Sequence, residues 1–290
     1  MPEKCIGILG ATSLVGHCLL RNLAKTELSA VAFSRGALKH SAAGVRWRSL
    51  NQETVSYTAV DPIANWICVA PIWVVEQHFQ LLEAYGACRV VTLSSTSALT
   101  KSASSDPEEQ AVALRLVSAE AAFQSWAQSR DVDWVILRPT LIYGLGQDKN
   151  ISEIARIIRR FGLFPFFGKA NGLRQPVHAA DVADACLGAL LAPGAANSAY
   201  NISGGETLSY REMVVRVFAA LGRRPRWLTV PLWAFRLSVT ILRCLPRYRH
   251  WSAAMAERMN QDLVFDHSEA ARDFGFKPRT FSISPEDIAR

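Results

Sequence analysis

Residues 5–24, CIGILGATSLVGHCLLRNLA, constrain the fold more than any other stretch of this chain. Cys5–Leu9 is a short apolar run of strand length. A glycine turn follows, Gly10-Ala-Thr-Ser-Leu-Val-Gly16, and then a helical pattern over Val15–Ala24. A strand that passes through a tight glycine turn into a helix opens a right-handed βαβ unit. The pattern then repeats. Ala30–Phe33, Trp66–Val69, Arg89–Leu93 and Asp133–Leu137 read as further strands, and a helix is predicted from about Pro107 to Ser129. Strands alternating with helices predict an α/β fold, a doubly wound parallel sheet with helices on both faces. In such sheets ligands bind beyond the carboxyl ends of the strands, so the informative residues follow each strand.

After about Asn150 the pattern changes to apolar and basic helices, punctuated by Pro165, Pro193, Pro225, Pro231, Pro246 and Pro278. Residues 1–150 are therefore read as a Rossmann-like dinucleotide-binding domain, with strand and helix contributions from about 174–202. Residues 151–173 and 203–290 are read as a smaller, mostly helical substrate lobe. A chain of 290 residues can bury a core of that size. Its six cysteines are scattered with no C-x-x-C pair, which argues against a disulfide framework or a zinc site and suits a reducing cytoplasm. The apolar run after Lys4 turns at once into the glycine loop and does not read as a signal peptide. The most apolar segment, Trp227–Leu245, is broken by Arg236 and Arg243, so no transmembrane helix is expected.

Each glycine of a dinucleotide loop has its own task. The first makes the turn, the second lets backbone approach the pyrophosphate, and the third packs helix on strand. Gly10 and Gly16 serve the first and third. Ser13 stands at the second and adds a hydroxyl that can itself donate to a phosphate, beside the free amides of a helix N-terminus. The second strand ends in Ser34-Arg35 with no acid to take ribose hydroxyls. Arg35, with Lys39 nearby in sequence, favours the 2′-phosphate of NADP(H) over NAD(H).

Several later stretches stand in one order along nearly the whole chain: CVAP (Cys68–Pro71), TLSSTS (Thr92–Ser97), VILRPTLIYGLG (Val135–Gly146), RQPVHAADVADA (Arg174–Ala185), YNISGGETLSYREM (Tyr200–Met213) and DLVFDHSEAARDFGFKPR (Asp262–Arg279). With GATSLVG they make the chain resemble the extended short-chain dehydrogenases/reductases, in the NAD-dependent epimerase/dehydratase branch that acts on nucleotide sugars. The resemblance implies that Gly10, Thr12, Ser13, Leu14, Val15 and Gly16 face the pyrophosphate. It places Ala70, Pro71, Ser94 and Pro139 along the cofactor. Thr96 matches the family's catalytic Ser/Thr. Arg138 and Thr140 would line the nicotinamide end, and Arg174 matches an arginine that binds the substrate diphosphate in several members. A planar, always-charged fork suits that task. His178 and Asp181 read as architecture, a helix start with a capping carboxylate.

The family's chemistry also needs a Tyr-x-x-x-Lys pair on the helix after the Thr96 strand, four residues apart so that both share a face. That helix has no tyrosine and no lysine. One register puts the pair on Val112 and Leu116, another on Arg115 and Ala119. Tyr143 is the remaining phenol near a strand end, and Glu108 and Glu109 read as the helix's first, solvated turn. The same helix carries an apolar stripe, Val112, Leu116, Ala119 and Phe123, for a homodimer partner of the kind relatives use or for the protein's own sheet.

The formal charge is +7, and nine arginines lie between Arg216 and Arg258 against one acid, Glu257. Such a surface favours anionic partners. Residues 227–251, with arginines and tryptophans around an apolar helix, fit either peripheral contact at the inner face of a membrane or a helix of the substrate lobe. No nucleic-acid motif accompanies them. Two functions follow. One is an NADP(H)-dependent oxidoreductase, epimerase or dehydratase acting on a nucleotide sugar, a lipid-linked substrate or another anionic small molecule, with a rearranged acid/base and no metal. The other is a catalytically silent NADP(H)-binding accessory or sensor protein.

Overall fold

The computed structural model describes residues 5–36, 44–50, 61–101, 104, 106–233 and 257–289. Its centre is one parallel sheet of seven strands: β1 (Cys5–Leu9), β2 (Ser29–Ser34), β3 (Val45–Ser49), β4 (Asn65–Pro71), β5 (Arg89–Leu93), β6 (Asp133–Pro139) and β7 (Ser198–Ile202). They lie side by side in the order 7-6-5-4-1-2-3. The chain builds outward from β1 to β3, then returns to place β4 on the other side of β1. The crevice between β1 and β4 is thus the switch point where such sheets bind ligands.

The helices are α1 (Leu14–Leu23), α2 (Ile72–Val75), α3 (Phe79–Ala84), α4 (Ser97–Thr100), α5 (Pro107–Ser129), α6 (Ile151–Phe161), α7 (Ala179–Leu191), α8 (Tyr210–Ala220) and α9 (Ser268–Phe274). Strand periodicity sorts the core into two faces. Ile8, Ala32, Ile67, Val91 and Leu137 pack with residues of α1, α7 and α9. Val31, Phe33, Trp66, Cys68 and Ile136 pack with Leu82 of α3 and Leu116, Phe123 and Trp126 of α5. A third apolar cluster, including Ile151, Ile158, Phe166, Met213, Phe218 and Phe281, joins α6 and α8 to the chain's last residues.

The five expected strands are present, and α1 begins one residue earlier than the pattern suggests, at Leu14. α5 runs over the expected span: Asp106 caps it by accepting from the Glu108 amide at 2.9 Å, and Pro107 takes the first position, where no N–H is needed. β3 and β7 are additions to the expected set. Among the described residues no helix is long and apolar enough to cross a membrane.

Candidate active site

The floor of the site is the β1–α1 turn pressed against β4. Gly10 has φ +84°, and a Cβ there would lie 2.5 Å from the Ala70 amide nitrogen. A Cβ on Gly16 would lie 2.5 Å from the carbonyl oxygens of Gly10 and Ala11. Both positions therefore require glycine on steric grounds alone. Ser13 is the N-cap of α1. Its hydroxyl accepts from the Gly16 amide at 3.1 Å and donates to the Val69 carbonyl at 3.4 Å. The serine therefore occupies one amide that a phosphate would use, and it ties the turn to β4. Leu14 and Val15, the next two residues, have amides without intrahelical acceptors.

Above this floor opens a cavity of about 1350 Å³. It brings together Ser13, Leu14, Val15, Ala70, Pro71, Ser94, Thr96, Val112, Leu116, Pro139, Thr140 and Arg174, which come from six separate stretches of the chain. Gly10 and Gly16 build the turn beneath it, and Thr12 is exposed beside it. Ser34 and Arg35 stand at the carboxyl end of β2, outside the cavity lining, and the Ser34 hydroxyl accepts from the Gly36 amide at 3.2 Å. Lys39 lies outside the described residues.

The α5 wall of the cavity carries Val112 and Leu116. Val112 is 40% exposed, and Leu116 is buried at 3%. In the other register, the Arg115 guanidinium stacks over the Trp73 ring at 4.6 Å and Ala119 is buried. Leu116, Ala119 and Phe123 are used up in the protein's own core. Thr96 is buried, and its hydroxyl donates to the Pro139 carbonyl at 3.3 Å.

Glu109 corrects the sequence expectation. It is buried rather than solvated, accepts from the Ser104 hydroxyl at 2.8 Å, and pairs with Arg258 at 2.7 Å. Its neighbour Glu108 is exposed. Lys101, just past α4, also lines the cavity, and burial followed by the nearby Arg258 lowers its pKa. Glu109, Val112 and Leu116 follow helical spacing along one face, so Glu109 could have been read from the pattern. Lys101, Tyr210 and Arg258 could not, because chain folding alone brings them to the cavity.

Arg138 does not face the cavity. Its guanidinium forks onto the buried carboxylate of Glu120, at 3.0 Å from Nε and 2.5 Å from Nη2, and Ser94 donates to the same carboxylate. The Thr140 hydroxyl donates to the Gln175 carbonyl. Tyr143 is fully buried outside the cavity, and its hydroxyl donates to the Ser282 carbonyl at 3.0 Å. Burial pushes that phenol up to about 12, so it is poorly placed to exchange a proton. At the far end Arg174 is buried and donates to the carbonyls of Leu173 (2.7 Å), Gln261 (2.6 Å) and Arg258. It also lies over the Tyr210 ring at 5.6 Å. The α7 start differs in detail from the expectation. The imidazole of His178 is the cap, accepting from the Ala180 amide at 3.1 Å, while Asp181 pairs with Arg279 at 2.7 Å.

Residues 74–203 match the model of the NAD dependent epimerase/dehydratase family. That match spans less than half of the chain, and over it the chain is similar to an NAD-dependent epimerase/dehydratase domain. The match begins beyond the glycine turn, so the turn's assignment rests on its geometry and on the fold. The chain is 27% identical over 161 residues to the UDP-glucose 4-epimerase of Vibrio cholerae, covering 55% of this chain and 46% of that protein. It spans less than half the length of the curated relatives it matches. Among solved structures, gox2253 superposes with a TM-score of 0.75 at 15% identity, over 99% of this chain and 97% of that one. MoeE5 in complex with UDP-glucuronic acid and NAD superposes with a TM-score of 0.72 at 19% identity, over 98% and 96%. At such identities these structures establish that the domain's fold extends over nearly the whole chain.

Proposed function

We propose that this protein binds a nicotinamide dinucleotide across the carboxyl end of the sheet and a nucleotide sugar or similar anionic substrate toward Arg174. The observation that carries the reading is the β1–α1 turn, where Gly10 is pressed to the backbone of Ala70 beneath the cavity. The amides of Leu14 and Val15 would take the pyrophosphate, beside the Gly16 amide that the Ser13 hydroxyl now occupies. Ala70, Pro71, Ser94 and Pro139 would flank the nucleotide toward its nicotinamide end. Ser34 and Arg35 favour NADP(H), since no carboxylate stands at the end of β2 to receive ribose hydroxyls. When bound, the nicotinamide supplies or accepts hydride. Thr96 would hold the reacting hydroxyl. Arg174 would exchange its backbone carbonyls for the substrate's diphosphate. Residues 1–150 with 174–202 would form the dinucleotide side, and 151–173 with 203–290 the substrate side.

A second reading is a protein that holds NADP(H) without turning it over. It is supported by Val112 and Leu116, apolar residues that line the cavity and, in one of the two registers, match the positions of the family's phenol and amine. Titration of the purified protein with NADPH and with NADH, followed by nicotinamide fluorescence, tests the shared premise. Tight NADPH binding with much weaker NADH is expected. Binding of neither would overturn both readings. Given binding, reduction of added NADP+ by a panel of UDP-sugars, or conversion of one UDP-sugar to another product, that is lost in Thr96→Ala supports the enzyme. No turnover with any of the panel favours the silent protein.

A further inference from the structure

Phe164–Phe167 and Trp227–Val230 form a small parallel sheet at the edge of the third apolar cluster. Strand alternation divides its side chains. Phe164 and Phe166 turn into that cluster. Pro165 pairs with Leu228 and Phe167 with Val230 on the opposite face. There Phe167, Val230 and Leu232 make a small apolar group apart from the three main clusters. Leu228 is 57% exposed and Trp233 71%. Phe161 and Leu163, next to the paired strands, are exposed as well. Single exposed apolar residues are ordinary, but here Leu228 shares its face with Pro165, Phe167 and Val230, and exposed Trp233 follows shortly after that strand.

The surroundings of this face are basic. Arg160, Arg224 and Arg226 are exposed beside it. The sequence has no acidic residue between Glu212 and Glu257.

We propose that this face docks on an anionic lipid bilayer. Leu228 and Trp233 would enter the interface and the flanking arginines would meet the headgroups. Tryptophan suits such a boundary because its ring is apolar while its N–H keeps a polar partner. Arginines interleaved with apolar residues and without acids suit a diffuse negative surface rather than a patterned protein partner. The proposal does not depend on the dinucleotide reading.

The test is co-sedimentation of the full chain with phosphatidylcholine vesicles, with and without about 30% phosphatidylglycerol, at low and high salt. Binding to the anionic vesicles, weakened by salt, is expected. Leu228→Glu/Trp233→Glu should lower partitioning at least about tenfold, because it removes both apolar insertion points and adds repulsion. Arg224→Gln/Arg226→Gln should lower it by about fivefold per residue. All four positions are exposed, so the melting curves of both variants should match the parent and exclude misfolding as the cause. Three results would overturn the proposal: no binding by the parent, full binding by the Leu228/Trp233 variant (plain attraction of a +7 protein), or parent oligomers that this variant dissociates, which would make a second copy the occupant.

Discussion

The floor of the cavity and its α5 wall are built by different means. At the floor the sequence is held by backbone contact: a Cβ at Gly10 or Gly16 would meet main-chain atoms at 2.5 Å. On the wall, Val112 and Leu116 line the cavity from one face of a helix. A residue fixed by main-chain sterics cannot change without disturbing the fold. A side chain on a helix face can lose its chemistry and leave the helix intact. A fold of this kind can therefore keep the shape of its glycine-turn floor beside a wall that carries no phenol.

Substitutions on both sides sharpen or break that contrast. Gly16→Val should be the most damaging, costing about 3 kcal/mol in urea unfolding and abolishing nicotinamide fluorescence enhancement, since its branches would meet two backbone carbonyls. A stable Gly16→Val variant that still binds would remove the floor's special status. On the wall, Leu116→Ala should cost about 2.5 kcal/mol by opening a cavity in the core, with dinucleotide affinity little changed. A loss of affinity without loss of stability would mean that Leu116 acts on the ligand instead.

Asp287 tests the seam that closes the third cluster onto the sheet. Burial works to raise its pKa, but hydrogen bonds from His178, Ser284 and the Leu145 amide outweigh it and hold the carboxyl well below the usual carboxylate range. A depressed folded pKa adds stability above the unfolded pKa, and that stability is lost as pH falls toward the folded value. Asp287→Asn should therefore cost about 1.5 kcal/mol at neutral pH and flatten the loss of stability below about pH 4. Equal acid sensitivity in both proteins would assign the acid limb to other carboxylates.

Ser13→Ala should cost about 1 kcal/mol by removing the α1 cap, whereas Ser13→Gly should cost only a few tenths. Glycine also frees the Gly16 amide, so NADPH should bind more tightly to Ser13→Gly than to the parent. Weaker binding would show that the serine hydroxyl contributes a phosphate contact of its own. The smallest effect is expected for Val112→Ala, within about 0.5 kcal/mol at this 40% exposed position.

The sheet could be read from the sequence where its strands are continuous apolar runs, as in β1, β4 and β5. β3 (VRWRS) and β7 (SAYNI) lie at the two edges, where alternation with polar residues blurs the signal. The floor could be read because turn and helix are contiguous. The absence of Tyr-x-x-x-Lys could be read for the same reason. What replaces it could not. Glu109 meets Arg258 and Arg138 meets Glu120 only after α5 has packed against segments distant in sequence. Arg138 looked like a ligand-facing cation because nothing local announces a carboxylate 18 positions earlier.

Arg174 carries a last consequence. Its guanidinium spans from the strand Leu173–Arg174 to the backbone of Arg258 and Gln261, and the Arg258 side chain in turn grips Glu109. Any anion that recruits Arg174 competes with those carbonyls. Ligand entry would then act on the 257–263 stretch as a key acts on a latch. In hydrogen exchange, that stretch would become faster as the site fills, while the rest of the cavity slows.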